Sequence, residues 1–292
     1  IASCSGRPRT WLTNRERVDM HTSAPTALTD LEFGQFRRLL HDIAGIHLSD
    51  AKKPLVAGRL NKRLRNFAMA SYGEYFKCLG KDAQELQICI DLLTTNETYF
   101  FREPKHFDFL RECLSKPGGV PSGRPLRIWS GACSSGEEPY TIALLLADIL
   151  GERPWEILAS DISHRVLERA RTGVYALEDR DDIPRHLLVK HCLRGVGENE
   201  GRMMITPALR QRVRFTQINL NAALPDVGQF DTIFLRNVMI YFDAETKRRV
   251  VARLLKHLRP GGYFIISHSE SLNGVNDTLK VIKPSIYRNP DE

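Results

Sequence analysis

The chain has 292 residues, of which 42% are hydrophobic and 26% are charged, and its formal net charge is +7. This composition is ordinary for a soluble globular protein, and no apolar run reaches the roughly 18 residues of a membrane span, so we expect no membrane insertion. The six cysteines lack the spacing of a zinc site or a disulfide framework, which predicts no metal and a reducing, cytoplasmic location. The positive charge predicts an acidic partner, and nucleic acid, protein and anionic membrane all remain open.

The first third of the chain divides into a polar extension and a helical segment. Residues 1–25 are polar and lack hydrophobic periodicity, which predicts a disordered N-terminal extension. Residues 26–93 predict a small all-helical domain, whose first helix follows a capping box at Thr29–Glu32. Later helical patterns cover 50–68, 72–79 and 82–93.

The helix predicted over 50–68 is basic on the face opposite its apolar stripe. That face carries five cationic residues: Lys52, Arg59, Lys62, Arg63 and Arg65. An ordinary solvated surface and a docking surface for an acidic partner both explain this charge.

From residue 126 onward, strand patterns alternate with helical patterns, which predicts a largely parallel α/β sheet. Strands are predicted at 126–132, 155–162, 213–220, 230–238, 262–269 and in a final SIYRN segment. Helices are predicted at 137–150, 163–171 and 244–258. Residues 172–212 break the alternation, and their short apolar runs around three glycines predict a small inserted β-hairpin.

The turn after the first predicted strand, SGACSSGEEPY, has the position of a nucleotide-binding loop. It lacks both the P-loop ending and the GxGxxG spacing of a dinucleotide site. Glu137 and Glu138 occupy the first turn of the next helix, where two carboxylates would repel a pyrophosphate. A positively charged ligand without phosphate, such as S-adenosylmethionine, fits this turn better, and stabilisation of the helix start by both glutamates is the plainer alternative.

Polar residues also follow the other predicted strands at the same edge of the sheet. Asp161 ends the second strand, where it can bind ribose hydroxyls or cap the next helix. Asn219 and Leu220 end the third strand, where the amide can bind an adenine edge and the leucine can cover its face. The fourth strand is followed by Arg236, Asn237 and Tyr241. These converging residues predict one ligand crevice.

With these segments assembled, the chain resembles the chemotaxis receptor methyltransferase family, CheR. The resemblance covers about residues 28–288 and rests on LTTNETYFFRE, WSGACSSGEEPYTIA, ASDIS, INL, RNVMIYF and PGGYFIISHSE. It implies a Rossmann-like S-adenosylmethionine-dependent methyltransferase domain at 106–292, with an inserted small antiparallel β-subdomain at 172–212. A helical receptor-facing domain at 26–93 and an active-site linker at 94–105 would precede it. The implied reaction methylates glutamate side chains of chemotaxis receptors and leaves S-adenosylhomocysteine.

The resemblance also implies roles for individual residues. Cofactor contacts are implied for Asn96, Thr98, Arg102, Glu138, Asp161, Asn219, Leu220, Arg236 and Asn237. Arg102 and Tyr241 are placed beside the reacting centre, with Glu138 rather than Glu137 as the contacting acid. Docking of acidic receptor helices is implied for Arg59, Lys62, Arg63 and Arg65. In some family members the β-subdomain holds a receptor tail by strand addition.

The implied acceptor needs no general base, because a glutamate with a pKa of about 4.3 is already an anion at neutral pH. His106 and His268 are therefore interpreted as structural or peripheral. We expect Arg102 to orient the carboxylate through its planar fork and Tyr241 to add a hydrogen bond. A nucleic-acid methyltransferase is a competing hypothesis, but RNVMIY stands where its [N/D]PP[Y/F] segment is usual, so no nucleic-acid partner is expected. A non-catalytic adaptor is a further alternative.

Overall fold

The computed structural model describes residues 27–291, so the extension predicted over 1–25 lies outside the described residues. Four helices form the first unit: α1 (Asp30–Ala44), α2 (Lys53–Asn66), α3 (Tyr72–Leu79) and α4 (Ala83–Leu93). Their apolar faces meet in a core that includes the fully buried Phe36, Leu60 and Tyr75. Among residues 27–291, no helix combines the length and the apolar character needed to cross a membrane.

Helix α1 begins and ends where the sequence predicts. Glu32 donates its N–H to Thr29 Oγ1 at 3.2 Å, and the Thr29 N–H donates to Glu32 Oε2 at 2.9 Å, which completes the capping box. Gly45 follows the helix with φ of 71°, and a Cβ at this position would lie 2.5 Å from Thr246 Cγ2. A glycine is required here because the end of α1 packs directly against the second half of the chain.

Residues 27–291 contain ten strands: β1 (Leu126–Gly131), β2 (Trp155–Asp161), β3 (Val174–Ala176), β4 (Cys192–Arg194), β5 (Arg202–Ile205), β6 (Val213–Gln217), β7 (Phe230–Leu235), β8 (Leu258–Ile266), β9 (Lys280–Lys283) and β10 (Ile286–Arg288). Seven of them form one sheet in the order β6-β2-β1-β7-β8-β10-β9, and three form a small sheet in the order β3-β5-β4. In the large sheet the first five strands of that order are parallel to one another, whereas β10 pairs antiparallel with both β8 and β9. Strand β1 therefore lies inside the parallel region, and its loop opens at the carboxyl edge.

Six further helices lie in the described part of this second unit: α5 (Lys105–Leu114), α6 (Glu137–Leu150), α7 (His164–Thr172), α8 (Arg185–His191), α9 (Pro207–Arg210) and α10 (Ala244–Leu255). Two cores separate the large sheet from the helices. Ile128 lies in one core with Leu144 of α6, while the adjacent Trp129 lies in the other with Val250 of α10. Because neighbouring side chains of a strand point to opposite faces, this division shows that helices cover both faces of the sheet.

The structure corrects several predicted elements. The insert at 172–212 is more than a hairpin, because β3 pairs with β5 and adds a third strand. That strand has three residues, which is too short for an alternating pattern to show. Periodicity also does not predict helix α5 or edge strand β9. The strands predicted over 213–220 and 230–238 end earlier, at Gln217 and Leu235, because the residues that follow turn out of the sheet to line a cavity.

Candidate functional site

A cavity lies at the carboxyl edge of the large sheet, where the helical unit and the linker after α4 close over it. It collects every residue that was expected in the cofactor site or beside the reacting centre: Asn96, Thr98, Arg102, Glu138, Asp161, Asn219, Leu220, Arg236, Asn237 and Tyr241. Apolar side chains of the helical unit, including Leu48, Leu55 and Leu93, line it as well. Both units therefore shape one site.

The loop after β1 has an unusual backbone. Ala132, Ser134 and Gly136 have φ of 62°, 50° and 97°, a region that residues with a side chain rarely adopt. A Cβ on Gly136 would lie 2.8 Å from Tyr175 Oη, so this position requires glycine. The Ser134 N–H donates to Asp161 Oδ2 at 2.9 Å and ties the loop to the end of β2. Contacts with neighbouring elements thus fix the shape of the loop.

The two glutamates at the start of α6 occupy different surroundings. Glu138 lines the cavity and accepts hydrogen bonds from Ser130 Oγ at 2.7 Å and from Arg236 Nη1 at 2.8 Å. Glu137 does not line the cavity; it accepts from Ser135 Oγ at 2.7 Å, and burial raises its pKa. The structure therefore presents Glu138 to a ligand, while Glu137 stabilises the loop and the helix start.

Arg236 connects the strand ends with the linker. Its guanidinium lies 2.8 Å from Glu138 Oε2 and 3.3 Å from Glu103 Oε2, and it donates to the carbonyl oxygen of Arg102. Its side chain is 2% exposed, so the ion pairs are buried. Burial alone would raise the pKa of Glu103, but the Ser267 hydroxyl and the Arg236 charge hold it below its usual value. These contacts hold Glu138 and the linker in place; Arg236 also lines the cavity, and its contact with the cofactor stays a prediction.

Asp161 is held by two backbone N–H groups at the carboxyl edge of the sheet. Its Oδ1 accepts the Ser163 N–H at 2.9 Å, next to the start of α7, and its Oδ2 accepts the Ser134 N–H at 2.9 Å. Burial raises the pKa of Asp161, and these backbone donors oppose the rise. Each oxygen keeps a further lone pair, so the carboxylate can still accept from ribose hydroxyls in the cavity.

Asn219 and Leu220 follow β6 and lie beside the end of α1. Asn219 Nδ2 donates to the Ile43 carbonyl oxygen at 2.7 Å, and its Oδ1 accepts the Asn221 N–H at 2.9 Å. The amide therefore docks the helical unit and keeps one N–H and one lone pair for an adenine ring. Leu220 is buried and lines the cavity, as a residue covering the ring face would.

The loop after β7, which carries Asn237 and Tyr241, is organised by a carboxylate that the sequence analysis does not single out. Glu270 accepts the N–H groups of Ser267 at 2.9 Å, Asn237 at 3.2 Å and Ile240 at 3.2 Å. Burial raises the pKa of Glu270, although these backbone donors act to lower it. Asn237 has φ of 57° and donates through Nδ2 to Ser267 Oγ at 2.7 Å. Glu270 ends the PGGYFIISHSE segment, which was its only signal in the sequence.

The linker combines a buried anchor with a half-buried arginine. Phe100 is fully buried and packs edge-on against Tyr175, with 4.9 Å between ring centroids. Arg102 donates through Nη1 to the Glu97 carbonyl oxygen at 2.9 Å, and its Cζ lies 5.6 Å from the centre of the Tyr99 ring. The guanidinium has five N–H groups, so most of the Arg102 donors remain available for a ligand in the cavity.

Matches to family models decide which family has this architecture. Residues 96–288 match "CheR methyltransferase, SAM binding domain", and residues 31–94 match "CheR methyltransferase, all-alpha domain". The chain belongs to the CheR methyltransferase family. Its cofactor is S-adenosylmethionine, and the Glu138 and Asp161 carboxylates in the cavity fit a ligand that carries positive charge and a ribose.

Individual relatives of this CheR-family chain are similar over most of their length. "Chemotaxis protein methyltransferase 2" of Pseudomonas aeruginosa is 41% identical, over 92% of this chain and 99% of the relative. "Chemotaxis protein methyltransferase" of Escherichia coli is 38% identical, over 89% of this chain and 91% of the relative. The protein of the same name in Borreliella burgdorferi is 34% identical, over 94% and 99%.

The basic face of α2 in this CheR-family chain divides into two pairs of residues. Arg63 forms an ion pair with the buried Glu85, and Arg59 donates to two carbonyl oxygens at the end of α4. Lys62 and Arg65 are exposed. Contacts within the protein therefore account for Arg59 and Arg63, and the docking prediction depends mainly on Lys62 and Arg65.

Proposed function

We propose that this CheR-family protein transfers the methyl group of S-adenosylmethionine to glutamate side-chain carboxylates of chemotaxis receptors, giving glutamyl methyl esters. The observation that carries the proposal is the charge arrangement of one cavity. Glu138 and Asp161 supply carboxylates for the cationic cofactor, and Arg102 supplies a half-buried cation for an anionic acceptor. The relatives named above are chemotaxis protein methyltransferases, which supports the same acceptor class.

The acceptor requires positioning rather than deprotonation. A glutamate side chain has an ordinary pKa of about 4.3, so it is a nucleophilic anion without help from a base. S-adenosylmethionine supplies the methyl group when it is bound. Arg102 orients the acceptor carboxylate with its planar donors, Tyr241 donates a further hydrogen bond, and close placement provides most of the acceleration.

Acidic receptor helices can reach this cavity along α2. Lys52 lines the cavity just before α2, and the exposed Lys62 and Arg65 extend the positive surface along that helix. We assign docking of the receptor to this surface. Attraction between exposed charges is screened by salt, so this binding should weaken as ionic strength rises.

The β-subdomain offers a second contact, for a receptor C-terminal tail. Strand β4 lies at an edge of the small sheet, and the nearby Leu193 and Val196 are 47% and 79% exposed. An extended peptide can add to such an edge through backbone hydrogen bonds. Our proposal includes a receptor tail at this edge and a cytoplasmic location, where the receptor signalling domains are found.

The deciding experiment follows tritium-labelled methyl groups from S-adenosylmethionine into purified receptor cytoplasmic fragments, with RNA as a parallel acceptor. Carboxyl esters hydrolyse in mild alkali, so the label should enter the receptor and then be released as methanol. Receptor fragments with the acceptor glutamates changed to alanine should stay unlabelled. Label that resists alkali, or that enters RNA alone, would contradict the proposal.

A further inference from the structure

A second polar cluster adjoins the cavity through Glu103. Glu103, His106 and His268 each offer one ligand atom, and these three atoms lie within 4.8 Å of one another. His106 Nδ1 is 3.4 Å from Glu103 Oε2, and the two imidazole ring centroids are 4.5 Å apart. Two imidazoles and a carboxylate at such distances are a common ligand set for zinc.

Ser285 contacts one nitrogen of each imidazole ring. Its Oγ lies 2.7 Å from His106 Nε2 and 3.0 Å from His268 Nδ1, and it donates to the Pro284 carbonyl oxygen at 2.6 Å. With the single hydroxyl hydrogen directed to that carbonyl, both imidazoles can donate to the serine oxygen. Lone pairs then remain on His106 Nδ1 and His268 Nε2. Ser285 keeps this position although its φ of 61° is unfavourable for a residue with a side chain.

His106 presents an unpaired nitrogen to the cluster. The residue is 0% exposed, and among the described residues its Nδ1 has no hydrogen-bond partner, Glu103 included. Buried polar atoms normally have a partner, and one without a partner costs stability. His268 is exposed, so the cluster is accessible from solvent on that side.

We propose that Glu103, His106 and His268 bind a divalent transition-metal ion of the zinc type. The ion would satisfy the unpaired His106 Nδ1 and leave an open position for water beside the exposed His268. Ser285 orients both rings, as hydrogen-bond partners of metal-bound histidines do. Arg236 opposes binding, because its guanidinium lies 3.3 Å from Glu103 Oε2 and competes for that carboxylate. The competition predicts a site of moderate affinity.

Zinc titration of the full chain without a histidine tag, in competition with a chromophoric chelator, tests this proposal. The wild-type protein should bind one zinc ion per chain. His268→Gln removes an exposed ligand and should weaken binding at least about 10-fold, and Ser285→Ala, which keeps every ligand, should weaken it about 10-fold. His186→Gln is the matched control, since His186 is exposed and lies 3.6 Å from the Asp148 carboxylate, and it should bind zinc as the wild type does.

Two results would overturn the metal site. One is a wild-type protein that takes up no stoichiometric zinc, and the other is equal zinc affinity of the wild type and His268→Gln. Both proteins are first compared in thermal unfolding, so that a change in binding is not a change in folding. Because His268 is exposed, we expect the same melting temperature for both.

Zinc binding should also affect the cavity. Glu103 would be a ligand of the ion, and it is also an ion-pair partner of Arg236, which lines the cavity. This consequence rests on the proposed function: zinc should lower methyl transfer by the wild type, and the same inhibition of His268→Gln should require a zinc concentration at least about 10-fold higher. Equal inhibition of both proteins would contradict the coupling. The chelator titration needs no enzymatic activity, so it distinguishes a failed metal site from a failed functional proposal.

Discussion

The strand-end wall of the cavity, built from Glu138, Asp161 and Arg236, is held far more tightly than the linker wall that carries Arg102. Both oxygens of each carboxylate in the strand-end wall accept a hydrogen bond within the protein. Among residues 27–291, the Arg102 side chain makes a single hydrogen bond, to the Glu97 carbonyl oxygen. A carboxylate whose two oxygens both accept hydrogen bonds is held in one position, whereas an arginine with spare donors adapts to its partner. The fixed strand-end wall suits a cofactor that is the same in every turnover, and the adaptable Arg102 suits acceptor carboxylates at several positions.

Removal of Arg236 should break the strand-end wall and have the largest effect. Arg236→Met leaves two largely buried carboxylates, Glu103 and Glu138, which are 16% and 12% exposed, without a cationic partner. The free energy of unfolding should therefore fall by about 3–5 kcal/mol. Binding of S-adenosylhomocysteine should be lost as Glu138 loses its support. Chemical denaturation and calorimetric titration measure the two effects.

A matched control for Arg236 is Arg111, which is 42% exposed and pairs with Asp148 at 3.0 Å. Arg111→Met should cost less than about 1 kcal/mol, because exposed ion pairs contribute little. Similar losses in the two variants would show that burial of the Arg236 ion pairs is not what stabilises the wall.

On the linker wall, Arg102→Ala should change turnover rather than stability. Loss of acceptor orientation should lower kcat about 100-fold, and Tyr241→Phe should lower it about 10-fold through one lost hydrogen bond. Arg102→Lys keeps the charge but loses the planar fork, so it should be intermediate. Steady-state kinetics at saturating cofactor give these values, with S-adenosylhomocysteine affinity followed in parallel. Wild-type turnover in both Arg102→Ala and Tyr241→Phe would remove these residues from their proposed roles.

Glu137 and Glu138 are adjacent in one helical turn, but only Glu138 lines the cavity, so the two substitutions test which carboxylate contacts the cofactor. Glu138→Gln should weaken cofactor affinity about 10-fold, because a charge-assisted contact is lost. Glu137→Gln should leave that affinity unchanged, since Glu137 does not line the cavity. Calorimetric titration with S-adenosylmethionine compares the two variants. The opposite order would assign the cofactor contact to Glu137.

The strand-end wall is predictable from the sequence for a topological reason. Asp161 ends a parallel strand and Arg236 directly follows another, and parallel strands that belong to one sheet end at the same edge. Their protein partners are not predictable in this way. Glu103 reaches Arg236, and Glu270 reaches Asn237, across loops with no repeating pattern. A local pattern places a residue on an element, but it does not show which distant charge will satisfy it.

The same limit applies to the basic face of α2 and to the metal-type cluster. Helical spacing shows that Arg63 and Arg65 lie on one helix, but the partner of Arg63 is Glu85 on α4, which only packing reveals. His106 and His268 are interpreted from the sequence as structural or peripheral. Their proximity arises because α5 and the loop after β8 meet at Ser285, and periodicity does not predict α5.

Changing the charge on α2 should alter the affinity for receptor fragments, by a smaller factor than the substitutions above alter turnover or cofactor affinity. Reversal of the exposed pair, Lys62→Glu with Arg65→Glu, should raise the KM for receptor fragments several-fold and reduce its dependence on salt. A matched double reversal, Lys256→Glu with Lys280→Glu, changes the net charge equally at two other exposed lysines. It should leave the KM close to the wild-type value. Equal effects of the two reversals would indicate general attraction rather than docking on α2.

The smallest expected effect is on stability, and it comes from a contact between the helical unit and the sheet-containing unit, outside both walls of the cavity. His41 Nε2 on α1 lies 2.9 Å from Asp243 Oδ2 at the start of α10, and this hydrogen bond raises the pKa of His41. A raised pKa means that protonated His41 stabilises the folded chain. Its contribution is complete below the unfolded pKa of about 6.5 and is lost as pH rises through the folded pKa. The His41 side chain is 42% exposed, so the contribution should be less than about 1 kcal/mol.

Thermal unfolding of the wild type and His41→Gln across pH 5 to 9 measures this contribution. The backbone N–H of Thr246 and the His41 ring lower the pKa of Asp243 to about 2, so Asp243 stays ionised and the change with pH reports on His41. The difference in Tm should be largest at the acid end and disappear at the alkaline end. A constant difference for His41→Gln would instead mean that His41 joins the units by packing, and that docking of α1 beside Asn219 is insensitive to its charge.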